Sequence, residues 1–98
     1  MTIFSSPDSD AKCLPQMLDL PQANGLRDDL IQLLAQGAVV LDAAAVERMS
    51  TPSVQVLLAA GRAADAAGSE LQIVNASEAF RAAIDDLGLR AEFKNWVM

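Results

Sequence analysis

Three helical stripes of apolar residues are each closed by a glycine, and a short apolar run follows the first two closures. That alternation constrains the fold more than any other feature. Leu26, Leu30, Leu33 and Leu34 fall at i, i+4, i+7 and i+8 before Gly37, and Val54, Leu57, Leu58 and Gly61 hold a second stripe before Gly68. Phe80, Ala83, Ile84 and Leu87 hold a third before Gly88. The run Ala38-Val39-Val40-Leu41 lacks alternation, the pattern of a strand covered on both faces in a parallel sheet, and Leu71-Gln72-Ile73-Val74 reads as its neighbour. Strand, crossover helix and strand from Val39 to Val74 thus predict a parallel βαβ unit of right-handed sense.

The remaining punctuation fills in the order of elements. Ala11 to Leu18 is weakly strand-like and is interrupted by Pro15, which donates no ladder hydrogen bond. Asp19 can cap a helix running from Pro21 to Gln36, and Ser77 can cap the third helix. Thr51 reads as the cap of the second helix, with Pro52 at its first position. Gly61 and the alanines around it are expected to let that helix approach a sheet closely. From Arg90 onward, Phe93, Trp96 and Val97 share one more helical spacing, which favours a short helix over a final strand, with Trp96 as a lid on the core. Met1 to Asp10 is turn-rich and is expected to be a loose tail or an edge strand, so residues 1–98 read as one domain.

Composition excludes many functions. The 98 residues carry 13 acidic and 7 basic side chains, a net charge of −6, which disfavours nucleic acid and anionic lipid as partners. There is no histidine and one cysteine, so neither a Ser-His-Asp triad nor the usual zinc or copper ligand sets can be assembled. Cofactors and metals are not expected, nor is enzymatic activity. Cys13, within the weak strand, reads as a small buried hydrophobe. No stretch approaches the ~20 apolar residues of a membrane span, and no export signal is visible, so a cytoplasmic setting is expected. The pairs Asp28-Asp29 and Asp85-Asp86 are adjacent on helices and point in different directions, as on a solvated face.

One place carries chemistry. Ser50 and Thr51 put two hydroxyls at the start of the second helix, whose free N–H groups and dipole favour a negative group, next to Asp42 at the end of the central strand. Phosphate can be accommodated there; equally, Thr51 can act only as a cap, worth ~1 kcal/mol.

The runs Leu14 to Leu20, Leu26-Arg27-Asp28-Asp29-Leu30, Val39-Val40-Leu41-Asp42 and Ser50 to Leu58 together resemble a STAS domain over nearly the whole chain. The resemblance implies an α/β fold: a small mixed β-sheet of four to five strands with helices packed on one side. It also implies a module that binds a protein partner, an anti-sigma factor or another histidine-kinase-like regulatory kinase, and that is switched by phosphorylation. The family's Asp-Ser-Ser/Ala-Gly-Leu pattern falls on Ser50-Thr51-Pro52-Ser53-Val54, making Thr51 the phosphoacceptor equivalent, with Ser50 in place of the acid and Ser53 in place of the glycine. Near Gln16 the family often has glycine, a second departure from its pattern. The binding surface so implied comprises Asp42, Glu47, Arg48, Ser50, Thr51, Ser53 and Gln55, with Arg62 at its rim and Ser50 as a second phosphorylation site. The same fold also implies an alternative, a constitutive subunit of a phospholipid-transport ATPase or of a chemotaxis or two-component kinase, with no phosphorylation.

Overall fold

The computed structural model describes residues 11–97, and the expected tail from Met1 to Asp10 lies outside them. The weak first strand is split as its proline dictates. Strand β1 (Lys12–Cys13) and strand β2 (Met17–Leu18) flank Pro15, which has no N–H to place in a ladder. Helix α1 (Leu20–Gln36) follows Asp19, whose carbonyl accepts from Gln22 N–H at 3.0 Å, although its carboxylate makes no capping bond. Gly37, at φ 134°, stops the helix in a conformation that a side chain rarely adopts.

Next come β3 (Val39–Asp42), β4 (Arg48–Met49), α2 (Thr51–Ala67) and β5 (Leu71–Val74). The chain ends with α3 (Glu78–Asp86) and α4 (Arg90–Phe93). Strand β3 is central, as expected. It pairs with β1 on one side (Lys12↔Leu41) and with β5 on the other (Val39↔Leu71 to Asp42↔Val74). A second, two-stranded sheet joins β2 to β4 (Met17↔Arg48, Leu18↔Met49). The five strands and the α/β class agree with expectation, but among the described residues every ladder is parallel, whereas a mixed sheet was expected. In each ladder the paired strands are joined by a helical crossover, which returns the chain to run in the same direction.

Residues two apart on a strand share a face. Val39, Leu41, Leu71 and Ile73 are buried while Val40, Gln72 and Val74 are half-buried. One face of the sheet therefore carries the core, correcting the expectation that β3 is covered on both. Onto that core pack Leu26 and Leu30 from α1, Val54 and Leu57 from α2, and Phe80 and Ile84 from α3. Leu33 and Leu34 are only half-buried, and Leu87 lies past the end of α3 with 40 % of its surface exposed, so the first and third stripes are narrower than their periodicity suggests. Cys13 is exposed, not buried: in this edge strand it alternates with Leu14, which takes the core position.

The C-terminal stretch is the expected short helix, followed by one isolated bridge to the sheet. After α4, Val97 makes an isolated parallel bridge to Ile73, and Ile73 N–H donates to the Trp96 carbonyl at 2.7 Å. Trp96 is a lid, 4 % exposed. Its ring stands edge-on to Phe93 at 5.3 Å, and Phe93 stands edge-on to Phe80 at 6.5 Å. Gly61 serves this lid, not the sheet: a Cβ there would lie 2.5 Å from Trp96 Cε2 and Cζ2.

Candidate functional site

The tip of α2 is held by a knot of hydrogen bonds onto β2. The Leu18 carbonyl accepts from Ser50 N–H at 2.9 Å and from the Ser53 hydroxyl at 2.8 Å. Ser50 Oγ and Ser53 Oγ are 3.1 Å apart, and Ser50 Oγ accepts from Ser53 N–H at 3.4 Å. A hydroxyl has one proton. Since that of Ser53 goes to Leu18, Ser50 is the donor to Ser53. Ser50, at φ −80° and ψ 159°, is thus the N-cap, and Thr51 and Pro52 are the first two helical residues. This corrects the expected cap at Thr51. Proline is tolerated at either early position, and the Leu18 carbonyl, a tertiary partner, decides the register.

The two hydroxyls consequently differ. Ser50 is half-buried with its proton committed, whereas Thr51 is exposed, and among the described residues no hydrogen bond involves its hydroxyl. Ser53, expected on the binding surface, is fully buried, its side chain spent on Leu18 and Ser50. Replacing Ser50 with alanine is expected to lower stability by ~0.5–2 kcal/mol, the worth of a lost cap. Thr51→Ala should stay within about 0.5 kcal/mol, as at an exposed site without a partner. Urea titration of both variants checks this, and a Thr51→Ala loss equal to that of Ser50→Ala would contradict the assignment.

Thr51 stands on the rim of a shallow groove of about 250 Å³ between β4, the tip of α2 and α3. Glu47, Arg48 and Met49 form one wall, and Ala83, Asp86 and Leu87 the other. Glu47 is pinned there: its N–H donates to the Gln16 carbonyl at 2.7 Å and its carboxylate accepts from the Gln16 amide at 2.7 Å. Gln16 thereby orders the wall. The α3 side was missed in the sequence because Ala83 and Leu87 read as core; the only available signal was that the stripe runs up to Gly88, where a helix must already be ending.

The other expected residues lie elsewhere. Asp42 accepts from Ala44 N–H at 2.9 Å and from the Asn75 amide at 3.3 Å. Among the described residues no hydrogen bond joins it to Ser50 or Thr51, and its carboxylate orders the loops after β3 and β5. Gln55 is exposed on the far side of α2, on a groove shared with Arg27 and Ile31 of α1. Arg62 is exposed farther along α2. The structure thus brings Glu47, Arg48 and Thr51 onto one groove, with Ser50 just beneath and bonded to the buried Ser53, whereas Gln55 lines a different groove and Asp42 makes its hydrogen bonds to Ala44 and Asn75. Among the described residues no cluster of three or more His, Cys, Asp or Glu side chains forms, and no helix is long and apolar enough to cross a membrane.

Comparison with curated proteins finds no match. The family model described as "Mlab, STAS domain" matches residues 14–93, which include every described strand from β2 onward, the α2 tip and both walls of the groove. With most of its length matched by that model, the chain belongs to the STAS domain family.

Proposed function

We infer that the chain is a non-enzymatic interaction switch that docks on a regulatory kinase of the anti-sigma-factor type and is released by phosphorylation of Thr51. Membership of the STAS family supports a regulatory or interaction role in general. The observation that carries the finer reading is the asymmetry between the two hydroxyls: Thr51 is exposed on the rim of the Glu47–Leu87 groove, while the Ser50 proton is held inside the cap. Thr51 is therefore the acceptor and Ser50 is not.

Phosphorylation would add about −1.5 to −2 charge. The α2 N-terminus tolerates that charge. The groove carries Glu47 and Asp86 against one Arg48, a net charge of −1, so a partner face that fits the unmodified groove, apolar around Leu87, must then meet a net charge of about −2.5 to −3. Docking is expected to weaken by ~10-fold or more in Thr51→Glu while Thr51→Ala binds like the parent. Incubation with ATP and the kinases encoded beside the gene, followed by mass spectrometry, should place phosphate on Thr51.

A second reading, permanent docking without modification, is favoured by the placement of Thr51 and Pro52 inside the first helical turn, which holds the hydroxyl on helical backbone and not on the extended segment a kinase cleft takes. Under it, Thr51 stays unmodified and Thr51→Glu binds its partner unchanged. That pair of results would remove the switch and leave the docking surface.

A further inference from the structure

The opposite face of α3 carries the chain's densest collection of positive charge. Arg81, Arg90 and Lys94, three of the seven basic residues, line an open groove of about 780 Å³ between α3 and α4. Its floor is apolar, made by Ile84, Phe93 and Val97. The one acidic residue on it, Asp85, is taken: Arg90 donates to its two carboxylate oxygens at 2.8 and 2.6 Å, and those bonds hold the carboxyl below its usual range. Arg81 is exposed and, among the described residues, uses only Nε, on the Ala76 carbonyl at 3.3 Å. Among the described residues no ion pair involves Arg81 or Lys94. The groove therefore holds two positive charges in excess on a chain of net charge −6.

We propose that this α3–α4 groove is a second docking site, taking a short acidic protein segment in which carboxylates alternate with aliphatic side chains. Charge complementarity selects the carboxylates, and the Ile84–Phe93–Val97 floor takes the apolar side chains between them. A long polyanion is disfavoured because the rest of the surface repels it, whereas a short segment touches only the groove. The cationic groups are exposed, with 81 % of the Arg90 side chain open to solvent, which suits a surface-bound segment and not an enclosed small molecule. The site does not depend on Thr51, because Arg81, Ile84 and Asp85 lie on one side of α3 and Ala82, Ala83 and Asp86 on the other.

The test is fluorescence anisotropy with a labelled peptide of alternating glutamate and leucine. Binding is expected, and the joint replacement Arg81→Glu with Lys94→Glu should weaken it by about tenfold or more. Arg27→Glu with Arg62→Glu, an equal charge change on other helices, should weaken it far less, and Thr51→Glu should not change it. Arg81→Gln with Lys94→Gln serves if the charge-reversed pair melts early, and should show the same order of effect. Absence of binding, equal weakening by the two charge-reversed pairs, or binding of phosphatidylglycerol vesicles through the same residues in place of the peptide each overturns the proposal.

Discussion

Trp96→Ala is expected to cost ~3–5 kcal/mol, the usual range for emptying a buried aromatic site. For a domain whose whole stability is of the order of 5–15 kcal/mol, that loss is a large share. The indole closes the core over α2, stacks edge-on with Phe93, and is 4 % exposed. Gly61 gives the sharper test. In the parent chain a methyl group at Gly61 would meet the indole at 2.5 Å, so the buried ring, edge-on to Phe93, would have to shift. Overpacking of this kind costs ~1–3 kcal/mol, more than the ~0.5–1 kcal/mol an alanine returns inside a helix. Gly61→Ala alone should therefore destabilise. In the Trp96→Ala background the obstruction is gone, the methyl fills part of the cavity, and the same substitution should stabilise. Denaturant titration followed by circular dichroism measures all three variants, since the first removes the only tryptophan. A Gly61→Ala effect of one sign in both backgrounds would show that the ring and the glycine are not coupled.

This pair also shows where the sequence stops being legible. The spacing of Gly61 within the apolar stripe announces a close approach, but not to what. Periodicity describes one element at a time, and the indole arrives from 35 residues away in the chain. Within elements the reading held well. Gly37 and Gly68 end α1 and α2, Ser77 caps α3 by accepting from Phe80 N–H at 3.1 Å, and Pro15 breaks the first strand. The central place of β3 and its parallel pairing with β5 across a helix also followed, because a short apolar run between two helices has few places to go in a parallel sheet.

The site was legible at lower resolution. That hydroxyls crowd the start of α2 is plain from Ser50-Thr51-Pro52-Ser53, but which one caps depends on the Leu18 carbonyl, and no local preference encodes that partner. The same knot explains how a serine is accommodated there: the Ser53 side chain is fully buried yet satisfied, its hydroxyl standing between Leu18 and Ser50. Asp42 sits where expected on β3, but its carboxylate is turned to Ala44 and Asn75, a choice made by loop geometry after the strand. Asn75 itself holds φ 56°, a left-handed position that asparagine tolerates better than most residues, and this brings its amide to Asp42.

The groove beside Thr51 rests on a core residue, and this yields the other large effect. Phe80 is fully buried, begins the inward face of α3, and meets Phe93 edge-on. Its backbone N–H is bound to the Ser77 cap, and Ser77 in turn donates to the Val46 carbonyl at 2.6 Å, fastening α3 to the segment that leads into Glu47 and Arg48. Phe80→Ala is expected to lose ~3–5 kcal/mol and, at ~4–8 °C per kcal/mol for a domain of this size, to lower Tm by tens of degrees. Phe80→Leu keeps most of the volume and should lose under about 1.5 kcal/mol. The two variants should also part in function. With leucine the α3 wall that carries Ala83, Asp86 and Leu87 should stay seated, so the partner docking proposed for the Thr51 rim should persist. With alanine the wall loosens, and docking should fall even at temperatures where the chain is folded. Thermal melts paired with partner binding at low temperature separate these outcomes. Full docking by Phe80→Ala under folded conditions would mean that the β4 side of the groove, Glu47 and Arg48, binds without α3.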